Sequence, residues 1–244
     1  MDAKLLDDPE ITLKRISVLK NKKFLRALYN KFYSMFRQES SIIPGLNLEL
    51  GSGAGFIKEI IPSAITSDIM PLKNCDLCFS AESMPLENQS VSNFFLLNSF
   101  HHIKNPKRAL AEMQRCLKVG GRVIMIEPGN CLWGAFIYKY FHHENFDPEG
   151  SWKSQEEGAL SKANGALTYI IFVRDLVKFN NLFPNLKVVK YLPHTPFSYL
   201  LSGGFTFPQL SPSFLFPFVQ RIEFLISPLN KYLGMFVTVV IEKA

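Results

Sequence analysis

Hydrophobic positions change period along this chain. Between residues 11 and 37 they fall at helical spacing. Leu25, Leu28, Tyr29, Phe32 and Phe36 share one face, and Lys22, Lys23, Arg26, Lys31 and Arg37 lie elsewhere. Ser40 to Gly45, with Pro44, ends this amphipathic arm. Short apolar runs of strand length then alternate with loops and helical stretches. Strands are predicted up to Leu50, from Ala64 to Asp68, over Asp76–Phe79, over Ser92–Asn98 and over Arg122–Ile126, the last apolar as a central parallel strand should be. Asn105-Pro106 starts a helix, with Asn as N-cap and Pro at the first helical position. Ala109, Leu110, Met113 and Leu117 mark its buried face, and Gly120-Gly121 is predicted to close it. This alternation is the rhythm of a parallel α/β sheet.

The second half is less regular. Residues 129–164 form a long segment rich in aromatics and His. Leu167–Phe179 reads as a helix, Leu186–Tyr191 as a strand and Met235–Ile241 as a final strand. Between the last two lies an insertion, 192–234, with Pro at 193, 196, 208, 212, 217 and 228. A bare doubly wound sheet joins such strands by a short hairpin, so the insertion is an addition that we expect to act as a lid. The predicted organisation is an N-terminal helical arm over 1–44 and an α/β domain over 45–244.

The stretch Leu48-Glu49-Leu50-Gly51-Ser52-Gly53-Ala54-Gly55-Phe56 organises the first half. An apolar strand ends in a glycine-spaced turn, and Phe56 to Ile61 reads as a helix opening. Glycines without Cβ let the backbone approach a ligand, and unpaired N–H groups of a helix start point toward it. About twenty residues after Glu49 comes Asp68, where this kind of sheet places an acid for ribose hydroxyls.

Composition narrows the picture. Net charge is +6, and from Ile11 to Arg37 there are eight Lys or Arg and no acid. The 22 Phe include a dense set in the last fifth. Of the four Cys, Cys75 and Cys78 are closely spaced, but Cys116 and Cys131 give no second short pair, so no zinc site is expected there. The first residues lack a basic region followed by an apolar core, and no apolar run reaches spanning length. A cytoplasmic protein with reduced thiols is expected.

The glycine turn, Asp68, Ala81-Glu82 with Met84-Pro85, His101-His102-Ile103 and Leu117-Lys118-Val119-Gly120-Gly121-Arg122 together resemble the class I S-adenosylmethionine-dependent methyltransferases. The likeness is to the small-molecule branch that includes quinone-biosynthesis enzymes, and it covers about Leu46 to Pro128. It implies a doubly wound, mostly parallel, seven-stranded Rossmann-like sheet and S-adenosylmethionine as cofactor. Glu49 and the backbone of Gly51, Ser52, Gly53 and Gly55 would hold the amino-acid end, and Asp68 with Ile69 the ribose. Ala81 and Glu82 would frame the adenine, and Asn98 and His102 would line the cleft. Many relatives carry an acid just before that Ala, where this chain has Ser80, so Glu82 or a backbone carbonyl would substitute.

A sulfonium donor already carries an activated methyl group, so the protein must align an acceptor and exclude water. A hydroxyl acceptor needs a general base. The candidates are His101 and His102 after the fourth strand, and His142, His143, Glu144 and Asp147 after the fifth. His142, His143 and His101 are the catalytic choices. A His pair beside a carboxylate could also bind a metal, but adjacent His residues rarely share one ion, and none is expected. No Pro-Pro-aromatic element follows the fourth strand and no Pro-Cys nucleophile is present, which disfavours base and protein-amide targets. The aromatic insertion suggests a small-molecule or lipid-linked acceptor, methylated at oxygen, with peripheral membrane contact. RNA, for which the basic arm would serve, and a non-catalytic cofactor-binding role are the alternatives.

Overall fold

The structure of the protein is a computed structural model that describes residues 9–142, 144–153 and 163–244. Two helices open it, α1 (Pro9–Asn21) and α2 (Lys23–Glu39). The basic stretch is therefore broken at Lys22, whose Nζ donates to the carbonyls of Gly204, at 2.7 Å, and Phe207. The cation ties the bend between the helices to the distant insertion.

Seven strands follow: β1 (Leu46–Leu50), β2 (Ala64–Asp68), β3 (Leu77–Cys78), β4 (Val91–Leu97), β5 (Leu117–Pro128), β6 (Leu186–His194) and β7 (Phe236–Lys243). They form one sheet in the order β3-β2-β1-β4-β5-β7-β6. The first five are parallel, and β7 runs antiparallel to both its neighbours. Pro193 is accommodated because β6 is an edge strand and its other side carries no ladder.

The helices of the second half are α3 (Pro106–Cys116), α4 (Leu132–Phe141), α5 (Leu167–Tyr169), α6 (Leu176–Leu182), α7 (Ser198–Ser202), α8 (Phe216–Leu225) and α9 (Asn230–Leu233). Asn105 caps α3 as predicted, its side chain accepting from the Arg108 N–H at 3.2 Å. Three expectations need correction. Gly120-Gly121 does not close α3, which ends at Cys116; both glycines lie within β5, where a bulge shifts its register against β4. The helix read over Leu167–Phe179 is broken between α5 and α6 by a π-helical turn, Ile170–Arg174. The helix opening at Phe56–Ile61 is one 3₁₀ turn, Ile57–Glu59. Pro62 has no N–H and pushes Ile61 out of helical conformation, and β2 begins two residues later.

With that connection so short, α2 covers this part of the sheet. Phe24, Leu25, Leu28, Tyr29, Phe32, Tyr33 and Phe36 are buried. Phe36 stacks on Phe95 of β4 at 5.3 Å, Phe32 packs on Phe236 of β7, and Tyr33 meets Phe56 beyond the glycine turn. The N-terminal segment is thus an integral layer of the core rather than an appendage. The insertion also has a fixed address. His194 pairs with Phe236, and Phe236 pairs with Pro128 at the carboxyl end of β5. The chain between β6 and β7 therefore leaves and returns at the carboxyl edge of the parallel strands, where such sheets bind ligands.

Phe36→Ala removes a fully buried ring that bridges α2 and β4 and is expected to destabilise the fold by about 3–5 kcal/mol in denaturant unfolding. Ile42→Ala, at a side chain 99% exposed, should leave the midpoint unchanged.

Candidate active site

The glycine turn leaves β1 through two residues in left-handed conformation, Gly51 (φ 69°) and Gly53 (φ 49°). A Cβ on Gly51 would stand 2.7 Å from Ser99 Cβ, so the close approach of β1 and the end of β4 requires glycine. Ser99 Oγ donates to the Leu50 carbonyl at 2.9 Å and joins the same two strand ends. Gly55 is crowded from the other side, because its Cβ would meet the Tyr33 hydroxyl at 2.3 Å. That hydroxyl accepts the Phe56 N–H at 3.3 Å. The turn is held by strand ends on one side and by α2 on the other.

Glu49 lies beneath it, 1% exposed. Burial pushes its carboxyl up to about 8, and the charge of Asp68 adds to that push; the neighbouring Ser52 and Tyr33 pull partly against it. Glu49 Oε2 and Ser52 Oγ are buried without a hydrogen-bond partner among the described residues. Orphaned polar atoms of this kind, beside backbone that only glycine permits, fit a polar ligand that completes them. Asp68, at the end of β2, closes the cradle. Its two oxygens accept the Gly53 and Met70 N–H groups, each at 3.0 Å. Ile69 is exposed on the rim.

Farther along the edge, Ala81 packs half-buried against the core, and Ser80 Oγ accepts the Glu82 N–H at 3.2 Å. Glu82 is turned toward α3, where its Oε1 accepts the Asn105 N–H at 3.0 Å. One carboxylate oxygen of the expected Ser80 substitute is therefore committed to a helix start. Asn98 ends β4 with φ 51°, its N–H bonded to the Ile126 carbonyl. Tyr29 of α2 is buried beside it, and the half-buried Tyr199 of α7 lies near Tyr29, with desolvation pushing Tyr199 up to about 12. Arm and insertion meet here: the Tyr29 and Phe205 rings lie 5.9 Å apart, edge to face.

The predicted catalytic residues resolve into a buried relay. His101 sits in a 3₁₀ turn, Phe100–His102, just after β4. Its Nδ1 lies 2.5 Å from Glu127 Oε2 and its Nε2 3.3 Å from Glu144 Oε2. Glu127, fully buried at the end of β5, also accepts the Ser99 and Phe100 N–H groups at 2.9 and 2.8 Å. Burial alone would lower the His101 pKa; the charge and hydrogen bond of Glu127, reinforced by Glu144, raise it to about 10. His101 therefore keeps its proton at neutral pH, and the role of general base expected for it does not fit. Burial would raise Glu144, but His101, His102 and His142 hold it well below the usual carboxylate range. His102 stacks on His101 with ring centroids 4.1 Å apart, and its Nε2 is 3.8 Å from Glu144 Oε1. His142 ends α4, and its Nδ1 accepts the Glu144 N–H at 3.3 Å. His143 lies outside the described residues. Asp147 caps a local turn through the Glu149 N–H.

Glu127 was missed by the sequence reading, which ended the fifth strand at Ile126. Its signal was a lone acid at the carboxyl end of an apolar central strand, one residue before Pro128.

Glu49 supplies a pH prediction. Its folded pKa is raised, so the folded state holds a proton that the unfolded chain releases from about pH 4.5 upward. The associated stability is complete below pH 4.5 and is lost as pH rises through 8. Glu49→Gln carries no such loss, so thermal unfolding of the ligand-free protein should show the variant gaining on wild type from pH 4.5 to 8. A constant difference across that range would remove the buried carboxyl as its cause.

Comparison with known proteins agrees with this layout. The family model described as a methyltransferase domain matches residues 48–125, from the glycine-turn strand into β5. No curated protein matches the chain in sequence. Among solved structures, geranyl diphosphate C-methyltransferase from Streptomyces coelicolor A3(2) is 12% identical, covers 100% of this chain and 88% of its own, and has a TM-score of 0.52. An S-adenosylmethionine-dependent methyltransferase of Thermotoga maritima is 16% identical over 93% of this chain and 99% of its own, at a TM-score of 0.49. One from Aquifex aeolicus is 13% identical over 96% and 97%, at 0.46. Residues 48–125 match a methyltransferase domain carried on the seven-stranded sheet, and the enzyme this implies is an S-adenosylmethionine-dependent methyltransferase with S-adenosylmethionine as its cofactor.

Proposed function

We propose that this methyltransferase methylates a lipid-like acceptor at oxygen, working at a membrane surface. The observation that carries the reading is the aromatic surface beside the site. On the insertion at the carboxyl edge, Phe214 is 79% and Phe224 77% exposed, and Phe207, Phe218 and Leu225 are exposed as well. Neighbouring α4, which packs against α9, adds exposed Leu132, Phe136, Tyr140 and Phe141. Exposed apolar surface on this scale, with Lys139 and Lys231 among it, suits an interface between headgroups and acyl chains. No helix among the described residues is long and apolar enough to cross a membrane, so contact would be from one side.

S-adenosylmethionine, when bound, supplies an activated methyl group, and the chain's own residues do the rest. Glu49, Ser52 and the glycine backbone would hold the amino-acid end, and Asp68 the ribose. Tyr29, Tyr199 and Phe205 close the edge above Asn98 against water. His101 is held between the carboxylates of Glu127 and Glu144 and does not offer a basic nitrogen to an acceptor hydroxyl. An acceptor acidic in its own right, such as a phenol, matches these residues best.

The RNA alternative draws little support from the arm. Arg26 pairs with Glu59 at 2.6 Å and lies over the Phe56 ring, Lys31 reaches Glu223, and Lys22 binds carbonyls of the insertion. These three cations are engaged within the molecule, whereas Lys14, Lys20, Lys23 and Arg37 are exposed.

The test is labelling by radioactive S-adenosylmethionine in the presence of a lipid extract and of total RNA. Label is expected in the organic-extractable fraction, and the protein is expected to float with anionic vesicles. Replacing Phe214, Phe218 and Phe224 together by Ser should reduce vesicle association at least about tenfold while leaving the fold intact by circular dichroism. Label confined to RNA, or vesicle binding indifferent to the three substitutions, would contradict the reading.

A further inference from the structure

Three ligand-type atoms converge at the carboxyl edge in a way that cofactor binding leaves unused. One ring nitrogen each of His101 and His102 and a carboxylate oxygen of Glu144 all lie within 4.8 Å of one another. The Glu144 oxygens stand 3.3 Å from the first nitrogen and 3.8 Å from the second. Two ligands on one tetrahedral ion, with bonds of about 2.0–2.2 Å, are roughly 3.3–3.6 Å apart, so the two histidine–Glu144 distances lie near that range and an ion would draw the widest pair together. Neighbours in sequence can aim at one point here because the 3₁₀ turn brings their rings within 4.1 Å.

A second observation points the same way. The far nitrogen of His101, Nδ1, is held at 2.5 Å by buried Glu127, whose other oxygen is fixed by two backbone N–H groups. A carboxylate behind a histidine fixes ring orientation and tautomer and leaves Nε2 directed at the ion. Burial is graded as well. The side chain of His101 is 2% exposed, whereas those of His102 and Glu144 are 18% and 16% exposed and give the cluster an open side.

We propose that His101, His102 and Glu144 form a site for a divalent ion of the zinc class, oriented by Glu127 and open at a fourth position toward the acceptor. Two imidazoles and one carboxylate are a borderline donor set, unlike the all-oxygen shells of calcium and magnesium. Three protein ligands with a free fourth position is the arrangement of zinc sites that act on a bound oxygen. An oxygen held there would release its proton to water near neutral pH. Ion and proton would compete for the Nε2 of His101.

The test is titration of the chelator-treated full chain with Co²⁺ as a spectroscopic probe, then displacement by Zn²⁺. One equivalent per chain, with visible d–d bands, is expected. His102→Ala and Glu144→Gln should each weaken binding at least about a hundredfold, and Glu127→Gln about 10–100-fold. Circular dichroism of each variant checks that the fold is kept. A Cys75→Ser/Cys78→Ser double variant should bind like wild type. Wild-type protein that takes up no stoichiometric Co²⁺ or Zn²⁺, or uptake lost with the cysteines and retained without His102, would overturn the proposal. No cofactor enters this titration, so its failure leaves the methyl-donor site untouched.

Discussion

A carboxylate buried at the carboxyl end of a parallel strand must be neutralised, hydrogen-bonded or completed by a ligand. Among the described residues such groups are Glu49 in β1, Asp68 at the end of β2 and Glu127 at the end of β5, and Glu49 and Glu127 are resolved in opposite ways. Glu127 is saturated: two backbone N–H groups meet one oxygen and the His101 imidazole meets the other. It fixes the turn after β4 and with it the positions of Asn98, His101 and His102. Glu49 keeps an orphaned oxygen beside an orphaned Ser52 hydroxyl. The saturated carboxylate belongs to the scaffold, and the unsaturated one leaves hydrogen-bonding capacity open beside the glycine turn. The edge is organised between these two points.

The remaining architecture brings covering layers to that edge. The first three crossovers are too short for α-helices, and a sheet face left bare would forfeit the burial that drives folding. Helix α2 supplies the missing layer, and because it does, Tyr33 comes to rest behind Gly55 and Tyr29 beside Asn98. The insertion between β6 and β7 meets α2 through Phe205 on Tyr29 and Phe216 on Phe24. Both segments lie outside the matched domain and meet each other at the carboxyl edge of the sheet.

The sheet and the glycine turn were legible because their signals are local. Glycine spacing, an acid at the end of the next strand and an Asn-Pro helix start each report their geometry within a few residues. The helix after the glycine turn was misread because Phe56 to Ile61 has a helical pattern that Pro62 cuts short, and one proline outweighs a short apolar period. Gly120-Gly121 carries the chemistry of a helix stop, but tertiary pairing with β4 recruits it into β5. The relay was legible only in pieces. His101 and Glu144 are 43 residues apart, and nothing local announces that β5 presents Glu127 between them and the backbone. Long-range pairing of charges is set by strand order, and strand order is not written in the period of any one element.

The central claim is that the glycine turn with Glu49 and Asp68 is an S-adenosylmethionine site. Calorimetric titration of the purified protein with S-adenosylmethionine, and separately with S-adenosylhomocysteine, tests it most directly. Saturable one-to-one binding of both is predicted, with affinity sharply reduced in a folded Asp68→Ala variant. Absence of heat with either compound, or an Asp68→Ala variant that binds like wild type, would contradict the account.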